Sequence, residues 1–378
     1  MTRLIITPNE EIIWTAIRRY QSIGFLKSNL PQHHREPERS KDNINKLAKQ
    51  ISFSIDQAIN YFRAADAVPL QTKPLLIYYG ICAFATADIL WRGDGSDALD
   101  NREAKFRSHG LKFSIKGDRT LSASDAKIYT ASAVFDEQGT AKGLFGRWSS
   151  FDRSTSAFCE YWHYDASNNL QKQLFLEFNT TNHPKLPDTF STTINDCISN
   201  IPDLVDEMEM FELESNLTSG SAHVTIESRD ISTLSDFRIN VLYEKSEKLG
   251  RLFSSIKRHG SIEHPVNLIR GRNSLSITME RAATDRPVCP VQIPYIVNSK
   301  SDKCYFGSST PTLNEFGSLY VSTYILGMLA RYKPHIWMKY FSEKTEFALL
   351  CEQICAVAVK RIPSLFLEGI SEVRYHIS

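Results

Sequence analysis

The stretch KPLLIYYGICAFATADILWR, residues 73–92, is the least polar part of the chain and decides how it folds. Its uncharged run, from Leu75 to Ala87, has 13 residues, whereas a helix that crosses the hydrocarbon core of a bilayer needs roughly 20. Pro74 stands where a first helical turn tolerates proline well. The stretch therefore predicts a buried core helix and not a membrane span.

A second apolar run lies near the other end of the chain. Residues 316–330 contain no charged side chain, and the run of 15 residues stops at Arg331. It too is short for a membrane span. We expect the two apolar helices to pack together and to close one core.

The composition is that of a globular protein without a strong global charge. Hydrophobic residues make up 42% and charged residues 23% of 378, and 44 basic residues against 43 acidic ones leave a net charge of +1. This excludes a basic field over the whole surface, of the kind that drives non-specific nucleic-acid binding. The seven cysteines include no CxxC pair and indicate reduced thiols. Without the features of a signal peptide, we expect a cytoplasmic protein.

The pattern of apolar, β-branched and polar residues divides the chain into three regions. Residues 1–110 predict helices at 10–20, 51–67 and 73–92, with an exposed loop over 28–46 because that segment is polar and contains two prolines.

Residues 111–310 are rich in short β-branched and aromatic segments, with a hairpin loop at DEQGTAKG and one helix near 193–211. Residues 311–378 are again helical. The predicted class is α+β: a helical bundle of N- and C-terminal helices with a β-rich middle region.

Several blocks together resemble the YaaC-like protein family of bacteria. They are YFRAADAVPLQTKPLLIYYG (61–80), HGL (109–111), IPDL (201–204) and LGMLARYKPHIW (326–337). They are spread over nearly the whole chain, so the resemblance implies a relationship from end to end. The family brings no established activity with it.

The first block has a looser likeness to the HEPN helical-bundle superfamily. A helix with paired tyrosines is followed by a loop and then by HG, and six residues separate Arg102 from His109. This resemblance implies a HEPN-like bundle and a metal-free ribonuclease, acting as a toxin or in phage defence. It also implies a homodimer, since such sites are shared by two bundles.

The chemistry of that pair is coherent. Histidine titrates near neutral pH and can act as a base, and arginine grips phosphate in a bidentate manner. Glu103 departs from the HEPN pattern, because a long acid beside the arginine repels phosphate. The alternative is that Arg102 is a solvated side chain and that His109 orders the turn at Gly110.

A second set of candidates lies at the end of the second apolar run. Arg331 can satisfy the last carbonyls of its helix, which is the structural interpretation. The functional alternative is a ligand-facing guanidinium held by aromatic side chains, able to bind phosphate or a nucleobase. The candidate ligand-facing residues are Tyr79, Arg331, Tyr332 and Trp337.

A local basic cluster stands in residues 245–286. The segment KLGRLFSSIKRHG predicts an amphipathic helix with a basic face, and RGR follows in a loop. The candidate contacts to an anionic partner are Lys257, Arg258, Arg270 and Arg272. The alternative is a solvated face.

No metal site or cofactor is expected. Cys351 and Cys355 have a spacing that can hold metal, but packing explains the pair better. The leading hypothesis is a non-catalytic module that binds a partner protein or a nucleic acid, with RNA favoured, within a bacterial defence-type system. The second hypothesis is the HEPN-type ribonuclease that uses Arg102 and His109.

Overall fold

The computed structural model describes residues 3–7, 10–33, 41–93, 95–151, 155–164, 170–179, 186–227, 236–243, 266–270, 274–280, 296–297, 304–307, 312–371 and 373–377. Its helices are α1 (Glu10–Arg19), α2 (Ile23–His33), α3 (Lys41–Ala67), α4 (Lys73–Arg92), α5 (Gly143–Ser149), α6 (Ile194–Ile198), α7 (Val205–Met210), α8 (Glu315–Tyr332), α9 (Pro334–Ser342) and α10 (Glu346–Ser371).

The strands form four groups. They are β1 (Arg3–Thr7), β2 (Leu111–Ile115), β3 (Tyr129–Ala133), β4 (Thr155–Tyr164), β5 (Leu170–Asn179), β6 (Ser191–Thr193), β7 (Leu217–Glu227), β8 (Asp236–Tyr243), β9 (Val266–Arg270), β10 (Ser274–Glu280), β11 (Ile296–Val297), β12 (Cys304–Gly307) and β13 (Val373–Ile377). β1 and β13 pair in parallel, and β4 pairs with β5. The antiparallel sheets have the orders β2-β3-β6 and β11-β12-β7-β8-β10-β9. The predicted α+β class is confirmed.

Helix α4 lies at the centre of the helical core. It packs against α3, α8 and α10, and the ring of Phe84 stacks on that of Phe366 in α10 with centroids 4.1 Å apart. By length and composition alone α4 would pass for a membrane span, yet 72% of its apolar window is buried inside the protein. The predictions of a buried core helix and of its packing against the C-terminal helices are confirmed.

Helix α8 begins at a polar cap and ends before a proline. The Asn314 side chain accepts a hydrogen bond from the amide of Gly317 at 2.8 Å, which satisfies a free donor of the first turn. At its other end, Lys333 separates α8 from Pro334, which opens α9.

A buried ion pair joins the start of α8 to α10. The Arg361 guanidinium donates to both carboxylate oxygens of Glu315, at 2.8 and 2.9 Å. Both side chains are almost completely buried, so each charge depends on the other for its solvation. The pair fixes the register between the two helices.

The middle region also contributes to the main core. Buried residues of α5 and α6, including Phe145, Trp148 and Ile194, belong to the same apolar cluster as α4 and α8. In addition, the Tyr324 hydroxyl of α8 donates to the carbonyl of Leu111 in β2 at 2.9 Å. The three-stranded sheet is therefore attached directly to the helices.

Three predictions about individual elements need correction. The segment 28–46 is not one loop, because α2 continues to His33 and α3 starts at Lys41. The helix at 193–211 is divided into α6 and α7, since Pro202 opens a 3-10 turn between them. Strand β13 lies in the C-terminal region, which was expected to be helical throughout, and its partner β1 lies in the N-terminal region, for which only helices were predicted.

Candidate functional site

The loop that leaves α4 returns to the sheet at His109, and backbone contacts hold it there. The amides of Leu144 and Phe145, in the first turn of α5, donate to the carbonyls of Ser108 and His109 at 2.7 and 3.2 Å. Gly110 and Gly143 both have positive φ and touch through their backbones, since a Cβ on Gly110 would lie 2.1 Å from the Lys142 carbonyl oxygen. Two glycines at this contact thus fix the position of His109.

A buried tyrosine orients the His109 ring. A hydrogen bond of 2.8 Å joins Nδ1 of His109 to the hydroxyl of Tyr78, whose side chain in α4 is completely buried. The rings of Tyr320 and Tyr324 pack around Tyr78, with centroids 5.8 and 5.5 Å away. Because Nδ1 is engaged and His109 is otherwise exposed, Nε2 is the nitrogen left for a ligand.

The surroundings of Tyr78 and His109 favour the neutral form of both side chains. Burial raises the pKa of Tyr78 well above its usual range. Burial lowers the pKa of His109, and the positive charge of Arg331 lowers it further. His109 therefore presents a neutral imidazole over more of the physiological range than a free histidine does.

Arg331 lies near His109 among tyrosine rings, of which Tyr332 is exposed and Tyr61 and Tyr79 are partly buried. Its Nη1 donates to the Tyr79 hydroxyl at 3.0 Å, and its guanidinium carbon is 5.0 Å from the centroid of the Tyr332 ring. Tyr79 in turn stacks on Tyr61, with centroids 5.6 Å apart and planes 28° from parallel. We call Tyr61, Tyr79, His109, Arg331 and Tyr332 the aromatic–cationic surface.

This surface has free capacity for a ligand. Tyr332 is 58% exposed, and Arg331 and His109 are exposed as well. In the part of the chain that the structure describes, no carboxylate forms an ion pair with Arg331. A guanidinium, an imidazole nitrogen and an open aromatic face suit a phosphate together with a planar base.

Arg102 is buried, whereas His109 and Arg331 are exposed. The Arg102 side chain is only 6% exposed and lies near Asp97, Arg147 and Tyr320, whose charges or dipoles act on it. Among the described residues, no hydrogen bond or ion pair joins Arg102 to His109. Arg102 is not the solvated side chain of the alternative, and the catalytic pair stays a prediction.

The other candidates divide into three groups. The Trp337 ring is 1% exposed and donates from Nε1 to the Gln71 carbonyl at 2.8 Å, so it supports the fold and does not face a ligand. Arg270 closes β9, opposite Leu275 of β10. The remaining basic candidates, Lys257, Arg258 and Arg272, lie outside the described residues.

The cysteine pair of α10 is buried. Burial raises the pKa of the Cys355 thiol to about 12 and that of Cys351 well above its usual range, which disfavours the thiolate that a metal binds. Nowhere in the described ranges do three or more His, Cys, Asp or Glu side chains form a group fit for a metal ion.

The sequence did not reveal four residues that lie in or near the candidate sites. Tyr61 and Tyr324 belong to helices that also contain buried aromatic residues, such as Phe62 and Tyr320, and their spacing gives no sign of the contacts that they make. Asp97 and Arg147, which form an ion pair, are 50 positions apart. A visible signal existed for Tyr61, since it opens the block that ends at Gly80.

One protein-family model matches nearly the whole chain. The model of the YaaC-like protein family matches residues 15–370. Searches of curated proteins and of solved structures find no match.

Proposed function

The chain belongs to the YaaC-like protein family, and we propose that it is a non-catalytic module that binds single-stranded RNA at the aromatic–cationic surface. The observation that carries the proposal is the contact of Arg331 with two tyrosines, Tyr79 and the exposed Tyr332. The guanidinium is positioned by these rings and remains without a carboxylate partner among the described residues.

The aromatic part of the surface supports base stacking. Tyr332 offers its ring to solvent beside a positive charge, which is the arrangement that single-strand binders use to hold bases without reading their sequence. Base–aromatic stacking contributes about 1–3 kcal/mol per base. A duplex keeps its bases stacked internally and cannot use such a ring.

The cationic part supports phosphate binding. Arg331 can present its remaining N–H groups to phosphate oxygens, and Nε2 of His109 stands nearby as a further hydrogen-bonding group. Lys333 and His335 follow in sequence and are exposed. A protein partner would be met more often through a larger apolar patch, so the local chemistry favours RNA.

Binding of a fluorescein-labelled single-stranded RNA of about 12 nucleotides, followed by anisotropy, tests the proposal. Tyr332→Ala should weaken binding about tenfold, since one stacking contact is lost. Arg331→Ala should lower the slope of log K against log salt by about 0.7, which corresponds to one phosphate contact.

Arg19→Ala is the matched control, because Arg19 is also an exposed arginine at the C-terminal end of a helix. It should leave affinity and salt slope unchanged. Equal losses in Arg19→Ala and Arg331→Ala, or duplex RNA binding as tightly as the single strand, would contradict the proposal.

The ribonuclease of the HEPN type remains the alternative from sequence. It requires Arg102 and His109 at one phosphate, and it expects Arg102→Ala and His109→Ala each to abolish RNA cleavage while the protein stays folded. His109 is accessible for such a role. RNA that stays intact with the wild-type protein, at concentrations that saturate binding, would exclude this alternative.

A further inference from the structure

Two arginines among the described residues are deeply buried, and their surroundings differ. Arg361 and Arg102 are each 6% exposed. Arg361 donates to both oxygens of Glu315. For Arg102, by contrast, Nε and Nη2 are buried and have no hydrogen-bond partner among the residues that the structure describes.

Asp97, the carboxylate whose charge acts on Arg102, is already engaged. Arg147 donates from Nε and Nη2 to the two oxygens of Asp97, at 2.7 and 2.5 Å. Burial lowers the pKa of Arg102; the Asp97 charge opposes this effect and the Arg147 charge adds to it. Among the residues that the structure describes, the charges of two guanidinium groups, Arg102 and Arg147, are thus set against the one carboxylate of Asp97.

Such a cluster is costly unless an anion completes it. A buried charge without hydrogen bonds loses its hydration and gains nothing in return. Unsatisfied buried polar groups in native proteins tend to mark functional positions. A guanidinium with two free N–H groups matches an oxyanion, which can accept from both at once.

Access to the cluster exists on the side of Arg147. The Arg147 side chain is 27% exposed, and its guanidinium carbon lies 5.5 Å from the Phe106 ring and 4.8 Å from the Phe151 ring. The cluster therefore reaches the protein surface at Arg147, and this is the side from which a small anion would approach.

We propose that Arg102, beside the Asp97–Arg147 pair, is the centre of a binding site for a small phosphate-type oxyanion. The occupant is inorganic phosphate or the terminal phosphate monoester of a small molecule. The site is independent of the aromatic–cationic surface, because Arg102 has no contact with it among the described residues.

Thermal unfolding of purified full-length variants tests the site. In chloride buffer, Arg102→Met should raise Tm by about 2 °C or more, because a buried unpaired charge is replaced by an apolar side chain of similar length. In inorganic phosphate at the same ionic strength, Tm of the wild type should rise further than that of Arg102→Met. Arg102→Gln provides a second neutral variant.

Arg361→Met is the matched control, since it removes a buried arginine that does have a partner. Glu315 is then left buried and unpaired, so Tm should fall sharply in chloride, while the response to phosphate stays as in the wild type. AMP distinguishes the two possible occupants. A rise of Tm with AMP as well as with inorganic phosphate identifies a site for a phosphate monoester, whereas a rise with inorganic phosphate alone identifies a site for the free ion.

Three outcomes would overturn the proposal. Lower Tm values, or failure to fold, for both neutral Arg102 variants in chloride would show that Arg102 is a structural residue. Equal phosphate responses in the wild type and in these variants would show that no specific site exists. An equal shift with acetate would show that the site takes carboxylates. Tyr332→Ala should leave the phosphate response unchanged, so RNA binding can fail without affecting this result.

Discussion

His109 is held by one helix and influenced by another. The hydroxyl of Tyr78 in α4 holds Nδ1; burial lowers the pKa of the imidazole, and the positive charge of Arg331 in α8 lowers it further. Arg331 therefore has two effects at the surface: it can attract an anion, and it adds to the effect of burial on His109. Removal of this one guanidinium removes both contributions and leaves the effect of burial.

We predict that Arg331→Ala raises the pKa of His109. Without the neighbouring cation the imidazolium form is less disfavoured, while the effect of burial remains, so the pKa should move part of the way back towards about 6.5. NMR titration of the histidine C2 protons measures it, and His109→Gln identifies the signal. In Arg19→Ala the signal should titrate as in the wild type; a pKa that falls or stays constant in Arg331→Ala would disprove the interaction.

For individual residues, the sequence could predict which side chains are candidates for a site but not which of them are buried. The ligand-facing candidates Tyr79, Arg331 and Tyr332 do lie together, because Arg331 ends a helix that packs beside α4. The pairing of Arg102 with His109 followed from a likeness to HEPN proteins and from their spacing. Neither can reveal that Arg102 is buried.

At the scale of elements, the contact between the His109–Gly110 turn and the start of α5 connects segments about 34 residues apart in sequence. The two glycines touch through their backbones, and the first amides of α5 hold the preceding carbonyls. The helix start thus acts as the support of the candidate site. Sequence patterns indicated a hairpin loop at DEQGTAKG, and α5 directly after it was missed because it has only seven residues.

We predict that Gly110→Ala lowers the free energy of unfolding by about 2 kcal/mol or more, since the positive φ is strained for alanine and its Cβ would meet the Lys142 carbonyl. Urea unfolding of the purified variant measures the loss. Gly24→Ala is the control: its Cβ would have its nearest neighbour, the Ser22 hydroxyl oxygen, at 3.9 Å, and it should change stability by less than about 1 kcal/mol. Equal losses in both variants would contradict the structural account.

Elements with a strong apolar signal were predicted well, and elements defined by tertiary contacts were not. Helices α4 and α8 follow from long uncharged runs whose burial does not depend on an exact period. The start of α3 at Lys41 is polar, and its helical state depends on later residues such as Leu47 and Ala48, which are buried. Propensity and prolines favoured a loop there, and packing prevailed.

At the scale of the whole molecule, one apolar cluster runs from Ile13 in α1 to Ile370 in α10. Its members include residues of all three regions of the sequence, 1–110, 111–310 and 311–378. Helix α4 is covered by α8 and α10, so the N-terminal region would expose apolar surface if the C-terminal helices were absent.

We therefore predict that residues 1–110, expressed alone, do not fold cooperatively. Circular dichroism at 222 nm should show a broad thermal change for the fragment and one sharp transition for the full chain. Binding of the dye ANS to the fragment should report its exposed apolar surface. A sharp transition of the isolated fragment would show instead that the N-terminal helices form an autonomous domain.

The parallel pairing of β1 with β13 has a consequence for the response of the chain to force. Arg3 lies opposite Val373 and Thr7 opposite Ile377, so a pull on the chain at Arg3 and at Ile377 acts along the two strands in opposite directions. The hydrogen bonds between the five residue pairs would then be loaded together, in shear, and not one after another. The paired strands β1 and β13 should therefore resist a force along the strands more strongly than a force that separates the residue pairs one by one.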